Sequence, residues 1–395
     1  MPDSDDFDPL APETFDSSHE VYRDLRARCP VAHTSAYGGF WALTRYADVK
    51  AAAGDPGLFI SSVRAVVPSD PRGIRRPPLN FDAPAHTPFR KALERTLHRR
   101  RLAALEPVLT EHAARELAPL LAEGGGDIAA QFGSTYPAFV AAEWLNLPAE
   151  QVRHLAATAA AWIAAWRKQD GDLVTEKSNE MYRMARELVA DRKQSPRDPE
   201  QDPASSLLSE TYDGEPLSDD LVVGALRQSL VVGLVAPPLL IGGICVHLSR
   251  DRELQDRLRA EPDLIPAALE EFLRLYTPYR GFARTVSDDV ELHGRRIRPG
   301  EPVTLVYASA NRDESVFDEP DTFRLDRPNI GQHLAFGRGP HRCAGMALAR
   351  LSLRVALTEL LARTSHFTLA GDIEPTRMPE LGAQRVPLRI VARPA

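Results

Sequence analysis

Cysteine is scarce in this chain: three of 395 residues, Cys29, Cys245 and Cys343. An odd number spread this far apart excludes a disulfide framework and fits a reducing compartment. Positive charge is in deficit, with 48 Lys and Arg against 55 Asp and Glu and a net charge of −7. Bulk electrostatics therefore gives no reason to expect nucleic acid or an anionic membrane as partner. The opening MPDSDDFDPLAPETFD lacks the basic and apolar regions of a secretory signal, so a cytoplasmic protein is expected, with residues 1–20 as a poorly ordered extension. Long apolar runs are missing but for LVVGLVAPPLLIGGICVHL at 230–248. That run is long enough to span a bilayer, yet its two prolines, three glycines and absent aromatic belt favour a buried segment.

What is present is an ordinary hydrophobic share, 43%, in a chain long enough to bury a large core without disulfides or a structural metal. Apolar periodicity near 3.6 predicts helices at 86–98, 103–122, 149–166 and 177–193, with EGGGD at 123–127 ending the second. KQSPRDPEQDPASS, 193–206, reads as an exposed loop. Ser218 with Asp219 and Asp220 predicts a capped start, through the Ser218 hydroxyl, of one helix running to about Arg250, roughly 50 Å at 1.5 Å per residue. Strands are expected in 38–46, 290–307 and the terminal FTLAG and PLRIVARP. The fold class is mainly α (α+β), one domain over 1–395 with a minor sheet.

The most informative stretch is HLAFGRGPHRCAGMALAR, 333–350. Phe336, Gly337, Gly339, His341, Cys343 and Gly345 form F-G-x-G-x-H-x-C-x-G, immediately before a helix-forming run. Glycines allow a tight loop with close backbone approach, and a cysteine at a helix N-terminus has its thiolate favoured by the dipole. The plainer reading is a buried cysteine in a turn. Zinc is excluded, since one cysteine and one histidine fall short of four ligands.

This pattern resembles the thiolate loop of the cytochrome P450 family. The resemblance implies the mostly helical haem-thiolate fold and Cys343 as axial ligand of a haem b iron, onto which it pushes electron density. In EEFLR, 270–274, Glu271 and Arg274 match the family's E-x-x-R brace of the cysteine loop. The third basic residue is absent from its usual place in PDTFR, 320–324, so Arg324 or Arg327 substitutes, or the brace is a pair. NFDAPAHTPFR at 80–90 is similar to the family's D-x-P-x-H-x-x-x-R, with His86 and Arg90. Together with Arg284 and His341, these cations are implied to pair with the haem propionates.

In the family the long helix crosses the haem with an acid–alcohol pair that relays protons. Here the matching residues are Val232, Gly233, Leu234, Val235, Ala236 and Pro237: the glycine is kept, while neither Val235 nor Ala236 can exchange a proton. Pro237 and Pro238 cannot bond back to the carbonyls of Gly233 and Leu234. Either those carbonyls hold water or substrate at the site, or the prolines are a tolerated kink.

The resemblance implies an oxidoreductase fed by ferredoxin and ferredoxin reductase, a monomer acting on a small organic substrate in bacterial secondary metabolism. The reaction is either monooxygenation with protons from substrate or water, or oxidative coupling, cyclisation or desaturation. The alternative is a haem protein without turnover, a sensor or scaffold. Substrate-facing segments are implied at 59–81, 226–236, 277–283 and 378–384, including Leu234, Tyr279 and Arg280, the last a cation suited to an anionic or strongly hydrogen-bonding ligand. Lys91, Arg95, Arg99, Arg100 and Arg101, with Arg338 and Arg342, read as a basic patch for an acidic iron–sulfur partner.

Overall fold

The computed structural model describes residues 5–11, 17–68 and 74–393. These divide into two compact units, one formed from the described residues of 1–70, 267–343 and 373–384, the other from those of 71–266, 344–372 and 385–395.

The first unit is organised by a five-stranded sheet in the order Val31–Thr34, Phe40–Leu43, Pro302–Leu305, Phe282–Val286, Phe59–Ile60. Pro302–Leu305 runs parallel to Phe40–Leu43, with Val303 opposite Trp41; the other pairs are antiparallel. The strand FWAL has no polar–apolar alternation because both faces are covered. Phe40 and Ala42 pack with Tyr22, Leu25 and Val306, while Trp41 and Leu43 join Val31, Tyr46, Phe317 and Leu334, as the two-residue period of a strand requires. Gly281 is obligatory beside this sheet: a Cβ there would lie 2.1 Å from the Leu305 carbonyl oxygen.

Residues 5–11, expected in a loose extension, are tied down where they are described. The Asp6 N–H donates to the His33 carbonyl at 2.9 Å, the His33 N–H to Asp6 Oδ2 at 2.7 Å, and Arg295 to Asp6 at 2.5 Å. The acidic run is thus a partner for donors on the sheet edge. Residues 17–20 of the expected extension begin the helix Ser17–Arg28; 1–4 and 12–16 lie outside the described residues, as do 69–73 of the substrate-facing segment 59–81.

The second unit is helical, with a three-stranded sheet in the order Thr364–Leu369, Pro387–Ala392, Gly125–Asp127. Two helices start earlier than the periodicity predicts, each opened by a side-chain cap. His98 accepts from the Arg101 N–H and opens Arg99–Ala122; Asp170 accepts from the Leu173 N–H and opens Gly171–Gln194. The expected exposed loop 193–206 turns inward at Asp202. That carboxylate is fully buried, accepts from Arg192 at 2.9 Å, and caps the buried Pro203–Leu208 helix through the Ser205 N–H at 2.8 Å.

The single long helix expected from 218 to 250 is two helices, Asp219–Val232 and Ala236–Arg250. Ser218 takes the extended N-cap backbone, but its hydroxyl makes no capping bond. The break falls at 233–235, ahead of the prolines, where the Leu234 N–H turns back to the Val231 carbonyl at 2.9 Å. Pro237 and Pro238 then occupy the first turn of the second helix, where a missing N–H costs no helical hydrogen bond. The whole stretch Asp219–Arg250 has the length and apolarity to cross a membrane, and most of its apolar window is buried.

Candidate functional site

In the first unit, the loop that ends at Cys343 is held by backbone geometry. Gly337 and Gly339 have φ of +68° and +71°, and a Cβ on Gly339 would lie 2.0 Å from the Ala53 carbonyl oxygen. Glycine is required there twice over, by conformation and by space. The Gly337 N–H donates to the Leu334 carbonyl at 2.9 Å, and the Cys343 N–H to the Phe336 carbonyl at 2.8 Å. The Cys343 side chain is exposed, Cys29 is half-buried and Cys245 is buried. Burial pushes the Cys245 thiol up to about 12, which leaves it inert.

Glu271 and Arg274 lie on the Ile265–Leu275 helix and are fully buried. Arg274 Nε and Nη2 grip the two Glu271 oxygens at 2.9 and 2.7 Å. Arg327 supplies the second guanidinium, its Nε 2.9 and 3.2 Å from the same carboxylate. Arg324 reaches Glu271 only through its backbone N–H, at 3.1 Å, while its side chain faces Asp318, Glu319 and Asp326 at 3.6 Å. Burial pushes the Glu271 carboxyl up, but Arg274 and Arg327 outweigh it and hold it below the usual range.

Asn311, unmarked by any sequence pattern, links this cluster to the loop. Its carbonyl accepts from Arg274 at 2.9 Å, its Oδ1 from the Leu334 N–H at 2.6 Å, and its Nδ2 donates to Thr277 at 2.7 Å. Within YASANRDE a lone asparagine gives no signal of such a role.

Arg284 is buried on the strand Phe282–Val286, opposite Val303, and its Nη1 donates to the Ala283 carbonyl at 2.8 Å. His341 closes the short turn Gly339–His341. Tyr279 forms an antiparallel β-bridge with Glu380, and its ring lies tilted by 54° against Phe282, centroids 4.9 Å apart. Arg280 is buried, with Nε 3.1 Å from the Glu380 carbonyl and Nη1 3.3 Å from the Tyr22 hydroxyl. These contacts engage two of its three guanidinium nitrogens inside the unit.

In the second unit, His86 begins the helix His86–Arg95 and is buried. Burial chiefly, and then Arg90, lowers its pKa. Arg90 donates to Glu94 at 2.6 Å. Val235 and Leu234 are buried at the helix break, with Gly233, Ala236 and Pro237 half-buried and Val232 exposed. Space beside Gly233 is open. The expected basic run is smaller than its sequence suggests: Arg101 is buried and donates to the Trp144 carbonyl at 2.6 Å, and Arg95 pairs with Glu210. Lys91, Arg99 and Arg100 stay exposed, as do Arg338 and Arg342 in the first unit. A pocket of about 390 Å³ lies beside Arg99 and Glu106, lined also by Leu97, Leu102, Ala347 and Leu351.

A glycine-rich loop that presents one exposed sulfur, tied to a buried carboxylate gripped by two arginines, defines a class of proteins built around a single cysteine. The comparisons give the class its family. The family model "Cytochrome P450" matches residues 244–391. The chain is 30% identical to cytochrome P450 109 of Bacillus spizizenii over 380 residues, covering 94% of this chain and 91% of that protein. It is 31% identical to the cyclomarin C epoxidase CymV of Salinispora arenicola over 370 residues, 90% of this chain and 91% of the relative. The structure of cytochrome P450 CYP109Q5 from Chondromyces apiculatus superposes with a TM-score of 0.88 at 28% identity, covering 98% of this chain and 99% of that one. The chain belongs to the cytochrome P450 family, whose members are haem-iron oxidoreductases.

Proposed function

We propose that this protein is a cytochrome P450 monooxygenase in which Cys343 ligates the iron of haem b, and that residues 1–395 act as one catalytic chain. The observation that carries this reading is the exposed Cys343 sulfur at the end of a loop fixed by Gly337, Gly339 and the Phe336 carbonyl. The donor set fits the group: one soft sulfur for the iron, and cations for two propionates. By the family resemblance, His86, Arg90, Arg284 and His341 would serve those carboxylates. Glu271, Arg274 and Arg327 keep the loop in place. Bound haem supplies an iron at which dioxygen is activated for oxygen insertion or hydrogen removal.

The chain's own residues handle protons differently from an acid–alcohol pair. Val235 and Ala236 carry none, while the helix break at 233–235 withdraws backbone carbonyls from the helical ladder. Those of Gly233 and Leu234 accept hydrogen bonds from water or from a substrate hydroxyl and orient it. Leu234 and Tyr279 contribute apolar and hydroxyl contacts to a small organic substrate. CymV is named an epoxidase acting on cyclomarin C, and a secondary metabolite of comparable polarity is the substrate class assigned here. Electrons come from a ferredoxin and its reductase in the bacterial cytoplasm, docked over exposed cations such as Arg99 and Arg100.

The test is turnover of the haem-loaded protein with ferredoxin, reductase and candidate metabolites, preceded by spectral titration of the ferric form. A ligand that shifts the ferric spectrum and yields an oxygenated product supports the reading. Binding without any product under full reduction overturns it.

A further inference from the structure

Glu270, next to Glu271 on the same helix, makes a separate connection to the cysteine loop. Its Oε2 lies 3.0 Å from Nε2 of His333, whose side chain is only 3% exposed. His333 Nδ1 accepts the N–H of Ala335 at 3.2 Å. A backbone amide can only donate, so Nδ1 is the bare nitrogen and the ring proton sits on Nε2, where it donates to Glu270. The imidazole therefore closes a turn onto the amide two residues on, as an asparagine side chain does, and also reaches the helix, which asparagine is too short to do. Beyond it, Leu334 receives Gly337, and Phe336 receives Cys343. Hydrogen bonds thus follow one another from Glu270 to the residue that carries the sulfur.

We propose that His333, oriented by Glu270, is a positioning residue for the Cys343 sulfur. It acts on the entry of the loop, while Arg327 donates to the carbonyls of Asp318, Glu319 and Thr322 upstream of it. The two ties are therefore separable. This inference rests on Cys343 being the haem ligand.

The experiment uses the haem-loaded full chain with His333→Ala, His333→Asn, His333→Gln and Glu270→Ala. H333A loses both bonds: the thiolate-type Soret band of the ferrous carbon monoxide complex gives way to the thiol-type band. Its haem transfers to apomyoglobin about 10- to 100-fold faster, the range that losing an outer partner costs a metal site. H333N keeps the turn onto Ala335 and loses the tie to Glu270, so it matches E270A, and both lie between wild type and H333A. H333Q keeps the reach to Glu270 without the turn and is also intermediate. Should H333A not fold, H333N, H333Q and E270A carry the test. A wild type with the thiolate-type band, and the same band ratio and haem transfer in every folded variant, overturns the inference even if thermal midpoints fall. A wild type without that band, or a Cys343→Ala variant that keeps it, overturns the ligand assignment instead.

Discussion

Replacing Arg327 by alanine separates the brace drawn here from the one its neighbour Arg324 would make. Arg327 is buried, with Nη1 2.6 Å from the Asp318 carbonyl and Nη2 2.8 and 3.3 Å from those of Thr322 and Glu319, besides its bonds to Glu271. Removing it takes a donor from the Asp318 carbonyl, while the Thr322 carbonyl keeps Arg274 and the Glu319 carbonyl keeps the Thr322 N–H, and it leaves Glu271 with Arg274 as its one charged partner. Breaking a buried ion pair from one side costs about 3 to 5 kcal/mol. Arg324 is about one third exposed, its ion pairs are with exposed carboxylates at 3.6 Å, and its backbone bond to Glu271 survives truncation; R324A costs about 0 to 1 kcal/mol. The assay is equilibrium denaturation of both variants beside wild type, repeated across pH. Glu271 is depressed in the folded state, so it stabilises above its unfolded value, near pH 4, and that contribution is lost as pH falls through the folded value. With Arg327 gone the folded value rises toward the unfolded one, so the part of the acid limb due to Glu271 becomes shallower and ends at higher pH. Equal losses in R324A and R327A, or an unmoved acid limb in R327A, refute the assignment.

Asp202 behaves similarly. Burial raises its carboxyl, but Ser205, Arg192 and Asn146 together hold it below the usual range, so D202N should flatten the stability profile below about pH 4, read by acid titration of circular dichroism. In haem-free native protein Cys343 should be the first thiol alkylated and Cys245 should react only on unfolding; haem loading should protect Cys343, and mass mapping of labelled peptides that puts Cys245 first contradicts this. Gly339→Ala should cut the haem-loaded fraction, since its Cβ meets the Ala53 carbonyl at a backbone φ of +71°; normal loading shows that the loop can shift. Pro237→Ala with Pro238→Ala should change stability by less than about 1 kcal/mol, because both residues already sit in a first turn, and a gain above that in thermal unfolding shows that the prolines cause the break.

Much of this was legible where a local pattern has one physical solution. F-G-x-G-x-H-x-C-x-G demands a loop with positive φ, and the family likeness it carries extends over nearly the whole chain. Helix interiors were legible from their period; two starts were not, because the apolar period begins only after the first turn, and one of the caps, His98, lies outside the usual Ser, Thr, Asp and Asn set. The long central helix was misread because two prolines drew attention to 237–238, although proline fits a first turn and the break precedes it. Arg327 was legible only as one of two candidates, because its bond to the Glu271 carboxylate spans 56 positions, and Asn311, whose carbonyl meets Arg274 37 positions away, is marked by no spacing rule. The reduced basic patch shows the same limit: charge is visible in sequence, but the inward turn of Arg101 is a packing fact.

The most direct measurement is the Soret band of the reduced, carbon monoxide-treated protein, for wild type and for Cys343→Ala. The account predicts the red-shifted thiolate-type band in wild type and its complete loss in the variant, with the fold retained by circular dichroism. A variant that keeps the band, or a wild type that binds haem and shows only the thiol-type or histidine-type band, contradicts it.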